Sequence, residues 1–114
     1  MFQIVFLPHF KRQIKPLLKK HRSLKDSVID AIDSFDPVQH AHLGHDVYKI
    51  RIGTPSLLRG KNKSFRLILL VIELDGLLVP ITIYSKGDKD SVSPKELDDH
   101  IQHIIFELDN RERD

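Results

Sequence analysis

Residues 65–86, FRLILLVIELDGLLVPITIYSK, narrow what this chain can fold into more than any other segment. Two runs rich in Ile, Val, Leu, Phe and Tyr, 65–73 and 78–86, flank Asp75-Gly76. Runs of that composition and length read as strands, and Asp-Gly between them is a tight-turn signal, so the pair is expected to be an antiparallel hairpin. A third alternating run, Val47–Ile52, precedes them. The connection between the first and second runs, GTPSLLRGKNKS, is long for a hairpin loop, and long loops in compact domains tend to carry function.

Helical spacing appears on either side of this meander. FQIVFL (2–7) is a short β-rich run ended by Pro8, after which Phe10, Ile14, Leu17 and Leu18 recur at helical intervals. Pro16 falls inside that pattern, and a kink or break is expected near Lys15 because proline lacks the backbone donor and crowds the preceding turn. A second helix should begin at Ser23, capped with the help of Asp26, carry a stripe of Leu24, Val28, Ala31, Ile32 and Phe35, and end at Asp36-Pro37. Val38–Asp46 reads as a polar linker. Ser93-Pro94-Lys95-Glu96 is an N-cap with Pro at the first helical position and a capping-box Glu. Leu97, Ile101, Ile104, Ile105 and Leu108 give that last helix an apolar face, and NRERD should fray.

The order is β-α-α-β-β-β-α, which implies an α+β fold: an N-terminal strand and helical hairpin packed on a small, mostly antiparallel sheet, with a C-terminal helix. With 114 residues the whole chain, 1–114, is expected to be one domain. Packing all helices on one side would leave the other sheet face open. No apolar run approaches the roughly 20 residues of a membrane-spanning helix, and the N-terminus lacks the pattern of an export leader. There is no cysteine, which removes disulfides and thiolate metal sites and fits a cytoplasmic location.

The formal net charge of +2 conceals strong segregation. Residues 1–25 hold seven Lys/Arg and no acid, residues 47–71 hold six and no acid, and residues 88–114 hold nine acids against four bases. Separated blocks of one sign point to a cationic patch suited to a polyanion or an acidic partner. Strand parity puts Tyr48, Ile50 and Ile52 on one side and Val47, Lys49 and Arg51 on the other. It likewise sets Val79, Ile81 and Ile83 against Thr82, Tyr84 and Lys86. Lys49, Arg51, Tyr84 and Lys86 are thus expected on the open face, with Arg66 sharing the parity of Ile68 and Leu70. Cations gathered on one strand face repel one another unless an anion sits among them. The competing reading is an ordinary solvated Lys/Arg face. His40, His42 and His45 in QHAHLGHD sit in the linker without a carboxylate or thiolate cluster and are read as loop histidines, with no metal site expected.

Four motifs in sequence carry a resemblance. Leu43-Gly44, Tyr48-Lys49-Ile50-Arg51, Gly60-Lys61-Asn62-Lys63-Ser64-Phe65-Arg66 and Tyr84-Ser85-Lys86 together resemble bacterial toxins of the RelE/ParE superfamily, the RelE and HigB branches in particular. The match covers about residues 43–90. The resemblance implies a compact α+β toxin of a type II toxin–antitoxin system and a cognate antitoxin that neutralises it. For those branches it also implies metal-free, cofactor-free cleavage of mRNA on the ribosome, by attack of an RNA 2′-hydroxyl on the adjacent phosphate. By position, Lys49 and Arg51 match the basic pair on the first meander strand and Arg66 the central arginine.

That chemistry needs fixed positive groups on the nonbridging oxygens, which guanidinium supplies in bidentate geometry. Arg66 is assigned as the transition-state clamp and Arg51 as the group orienting the phosphate. Crowding among cations disfavours their charged forms, and on that ground Lys49 is assigned as proton acceptor. Tyr84 and Lys86 complete the catalytic set. Arg59, Lys61, Lys63 and Lys89 are expected to hold flanking RNA phosphates, contacts that position without reading sequence. KGDKDSVSPKEL offers no Arg, Tyr or His after the third strand until His100, a departure from the RelE pattern. Two alternatives stay open: a ParE-like toxin that binds DNA gyrase without cleaving anything, and an attenuated relative that binds an antitoxin with little catalysis.

Overall fold

The computed structural model describes residues 2–39, 41–44, 46–53, 64–87, 89 and 91–111. The elements run β1 (Gln3–Ile4), α1 (Pro8–Lys20), α2 (Leu24–Asp33), a 3-10 turn (Pro37–Gln39), β2 (Ala41–Gly44), β3 (Val47–Ile52), β4 (Phe65–Ile72), β5 (Leu77–Ser85) and α3 (Pro94–Arg111). The fold is α+β. Its sheet has the order β1-β5-β4-β3-β2, with every pairing antiparallel except the short parallel contact of β1 with β5. The expected hairpin is β4–β5, joined through Glu73–Gly76. Gly76 has φ of 64°, a left-handed conformation that glycine adopts without steric cost.

Each sheet face has its own core. Phe10, Ile14, Leu24, Val28 and Ile32 of the helical hairpin pack on Ile50, Ile52, Phe65, Leu67, Leu69 and Ile83. On the opposite face, Ile104 and Leu108 of α3 pack with Val47, Ile68, Val79 and Ile81. The expectation of helices on a single face is therefore corrected. The cause lies in β4, the central strand, which is apolar at both parities from Leu67 to Ile72 and must be covered twice.

Other local differences have local causes. The expected linker contains β2, which pairs with β3 through Ala41↔Lys49 and His42↔Tyr48. α1 continues through Pro16 rather than breaking at Lys15. Pro16 is exposed, so the Arg12 carbonyl it leaves without a donor faces the solvent side, while buried Phe10 and Ile14 and half-buried Leu17 and Leu18 anchor the helix. Ser23 makes no side-chain capping bond, whereas the capping box at α3 forms reciprocally. There the Glu96 N–H donates to Ser93 Oγ at 3.1 Å and the Ser93 N–H to Glu96 Oε1 at 3.4 Å. Ile105, expected on the buried face of α3, is 43% exposed.

The parity assigned to β5 also changes along its length. Opposite Ile68–Leu69 the register jumps from Thr82 to Pro80, so Ile81 is an extra residue. Beyond this bulge Ile83 belongs with the helical hairpin, while Val79 and Ile81 belong with α3. Pro80 fits beside the irregularity because it has no N–H to give a regular ladder.

Candidate functional site

The site is assembled at one end of the sheet, where β3 finishes, β4 begins and β5 finishes. Register places Arg51 opposite Arg66 and Arg66 opposite Tyr84, so three strands contribute one row. Directly opposed residues have Cβ atoms about 5 Å apart. One step along, Lys49 lies opposite Ile68 and Ile68 opposite Thr82. Lys49, Arg51, Arg66 and Tyr84 thereby meet on the face that α3 partly covers. Lys86 follows directly, its N–H donating to the Ser64 carbonyl at 2.9 Å, so the end of β5 is tied to the start of β4.

Burial divides these groups. Arg51 and Lys86 are exposed and Lys49 is half-buried, but Arg66 is only 6% exposed. Arg66 Nη1 donates to Ser64 Oγ at 2.5 Å and to the Phe65 carbonyl at 3.4 Å. Both acceptors are neutral. Among the described residues no carboxylate lies within ion-pairing distance of Arg66. A guanidinium withdrawn from water without a counter-charge is costly, and the residue opposite it on β3 is another arginine. An anion placed over this row would relieve both penalties.

Tyr84 is half-buried, and its phenol oxygen has no hydrogen-bond partner among the described residues. Burial pushes the phenol above its ordinary range, and the opposing pull of Arg66 is the smaller effect. Tyr84 is therefore a neutral O–H beside a cation, suited to donate a proton or hydrogen bond to an anionic oxygen.

Lys89 is placed differently. Its ammonium pairs with Glu96 Oε2, a carboxylate of the α3 capping box. Arg59, Lys61 and Lys63 lie outside the described residues, as do His40 and His45 of the histidine-rich segment. Two groups escaped the sequence reading. Ser64, the hydrogen-bond acceptor of Arg66, stood two positions away without a signature of its own. His9, His100 and His103 gather between α1 and α3, as described below.

The fold and this row define a layered α+β protein with a cationic strip at one sheet end. No family model and no curated protein matches the chain. Among solved structures, the chain is similar to a mutant of the E. coli toxin RelE in the free state. The TM-score is 0.48 and the identity 17%, over 78% of this chain and 87% of that one.

Proposed function

We propose that this protein is a toxin of the RelE/ParE type that cleaves mRNA on the ribosome. The observation that carries the reading is Arg66, a buried guanidinium with neutral partners, set in one cross-strand row with Arg51 and Tyr84. The order of the four sequence motifs supports it independently. In the proposed reaction an RNA 2′-hydroxyl attacks the adjacent phosphorus while Lys49, reacting as the neutral amine, accepts its proton. The new P–O bond forms a 2′,3′-cyclic phosphate as the bond to the 5′-oxygen breaks. Tyr84 returns a proton to that leaving oxygen, and Arg66 and Arg51 hold the charge growing on the nonbridging oxygens. Lys86 and the loop cations Arg59, Lys61 and Lys63 steer the flanking backbone, and a cognate antitoxin would neutralise this strip by covering it.

The test is inducible expression of wild type and of Lys49→Ala/Arg66→Ala, followed by growth and by mapping of mRNA ends. Wild type is expected to arrest growth and cut mRNA on ribosomes, and the folded double variant to do neither. Removing one preorganised charge-stabilising donor costs about 10²–10³ in rate. Normal cleavage by the double variant would sink the assignment, and gyrase inhibition surviving both substitutions would favour the ParE-like reading. The attenuated reading draws on a separate observation: Glu96 occupies Lys89, and α3 lies on the same face as the cationic row. Wild type that binds an antitoxin without cutting RNA would establish that reading instead.

A further inference from the structure

His9 is the second residue of α1 and is 7% exposed. It faces His100 and His103 on α3, residues one helical turn apart. His9 Nε2 and His100 Nδ1 are 2.7 Å apart, a hydrogen-bonding distance, and the His103 ring stacks on His9 at 4.6 Å between centroids, with 5° between planes. Glu107, one turn further along α3, accepts the His9 backbone N–H at 2.9 Å and pairs with Arg12 at 3.6 Å. A carboxylate of α3 thus satisfies an otherwise free donor at the start of α1. These contacts join residues about 90 positions apart and tie α3 to the helix on the other side of the sheet edge.

We propose that His9 and His100, with the His103 ring stacked on His9, form a proton-operated latch that holds α3 against α1 and the sheet while His9 and His100 are neutral and releases it on acidification. The N···N bond fixes the logic. One ring donates its N–H and the other accepts with a bare lone pair. One proton can be shared in an N–H⁺···N bond, but protonating both rings sets two N–H groups against each other at 2.7 Å and places two positive rings in contact.

The surroundings act in the same direction. Burial holds His9 below the ordinary histidine value, followed by His100, His103 and Arg12, and the attraction of Glu107 is overcome. His100 is lowered by burial, then by Lys89 and His103, against a smaller opposing effect of Asp99. Proton uptake is therefore stronger when α3 has left, and acid favours the released state. Release uncovers Ile68, Val79 and Ile81 and the flank of Tyr84, all now packed with α3 or beside it. The latch does not depend on RNA cleavage, because it concerns only where α3 sits.

Amide hydrogen exchange on the full chain tests it, corrected for intrinsic rates and followed from pH 7.5 to 5.0. Residues 97–108 report on α3, and β4 serves as the internal reference. Through the titration window, α3 opening is expected to rise about tenfold per pH unit for each proton taken up, while β4 stays protected. His100→Gln/His103→Gln should lower that slope to the share that His9 alone contributes. Constant α3 protection, a loss shared equally by β4, or an undiminished slope in the double variant would each overturn the latch. Should the variant not fold, ring titration of the wild type by NMR decides. His9 and His100 titrating below 6.5 agree with the latch, and values at or above 6.5 refute it.

Discussion

Arg66→Met separates a cation retained for function from one retained for folding. The wild-type side chain is 6% exposed and makes two hydrogen bonds, both from Nη1 and both to neutral oxygens. Losing each bond costs about 1–3 kcal/mol for a charged donor. Against this, methionine keeps the length of the stem while removing a desolvated charge that no described carboxylate balances. Replacing buried charges by apolar residues of similar volume is often neutral or stabilising by about 1–4 kcal/mol. With two bonds lost and one buried charge removed, the balance spans about 5 kcal/mol less stable to about 2 kcal/mol more stable, read from the urea midpoint at constant slope, so the stability change is weighed together with a ligand response. Phosphate supplies the second arm. An anion bound over the Arg51–Arg66 row stabilises wild type by RT ln(1 + [L]/Kd), about 1.4 kcal/mol at ten times Kd. The variant should gain only the general stabilisation that excluded salts confer on both proteins. A destabilised variant whose response to phosphate equals that of wild type would refute the reasoning and make Arg66 a structural residue.

Tyr84→Phe removes a buried hydroxyl that has no described partner, so it should be neutral or stabilising by about 1–2 kcal/mol in urea melts. If Tyr84 donates the leaving-group proton, the same change should lower RNA cleavage about 10²-fold or more in single-turnover assays. Pro16→Ala restores a helical N–H on the exposed side of α1 and should raise the thermal midpoint, with a gain of about 1–2 kcal/mol after the greater freedom of the unfolded chain is subtracted. Gly76→Ala places a Cβ at φ of 64° and should cost about 1 kcal/mol or more, seen as a lower urea midpoint. For pH, His9 and His100 are held below the unfolded value of 6.5, so their contribution is complete above about 6.5 and is lost as pH falls through their folded values. Urea midpoints should fall on that acid side, and less steeply in His100→Gln/His103→Gln.

Much of the architecture was legible because it is encoded locally. Alternation in Val47–Ile52 correctly set Tyr48, Ile50 and Ile52 toward the helical hairpin and Lys49 and Arg51 away from it. The Asp75-Gly76 turn and the Ser93–Glu96 capping box also follow from a few neighbouring residues. The errors arose where a distant partner decides. Ala41–Gly44 carries no strong strand pattern and becomes a strand because β3 offers an edge to pair with. The mixed parity of Arg66, Ile68 and Leu70, visible in the sequence, marked a strand covered on both faces, yet only the position of α3 shows what covers the second.

By itself the sequence determined the strands and helices other than β2 and which side of β3 bears the positive charges, since backbone periodicity and turn chemistry act within a few residues. Tertiary structure alone decided the register that aligns Arg51, Arg66 and Tyr84, the insertion of Ile81 that reverses β5 parity, and the meeting of His9 with His100. Those outcomes depend on pairing and packing between segments far apart along the chain, where the hydrogen bonds and burial of one partner have meaning only once the other is in place.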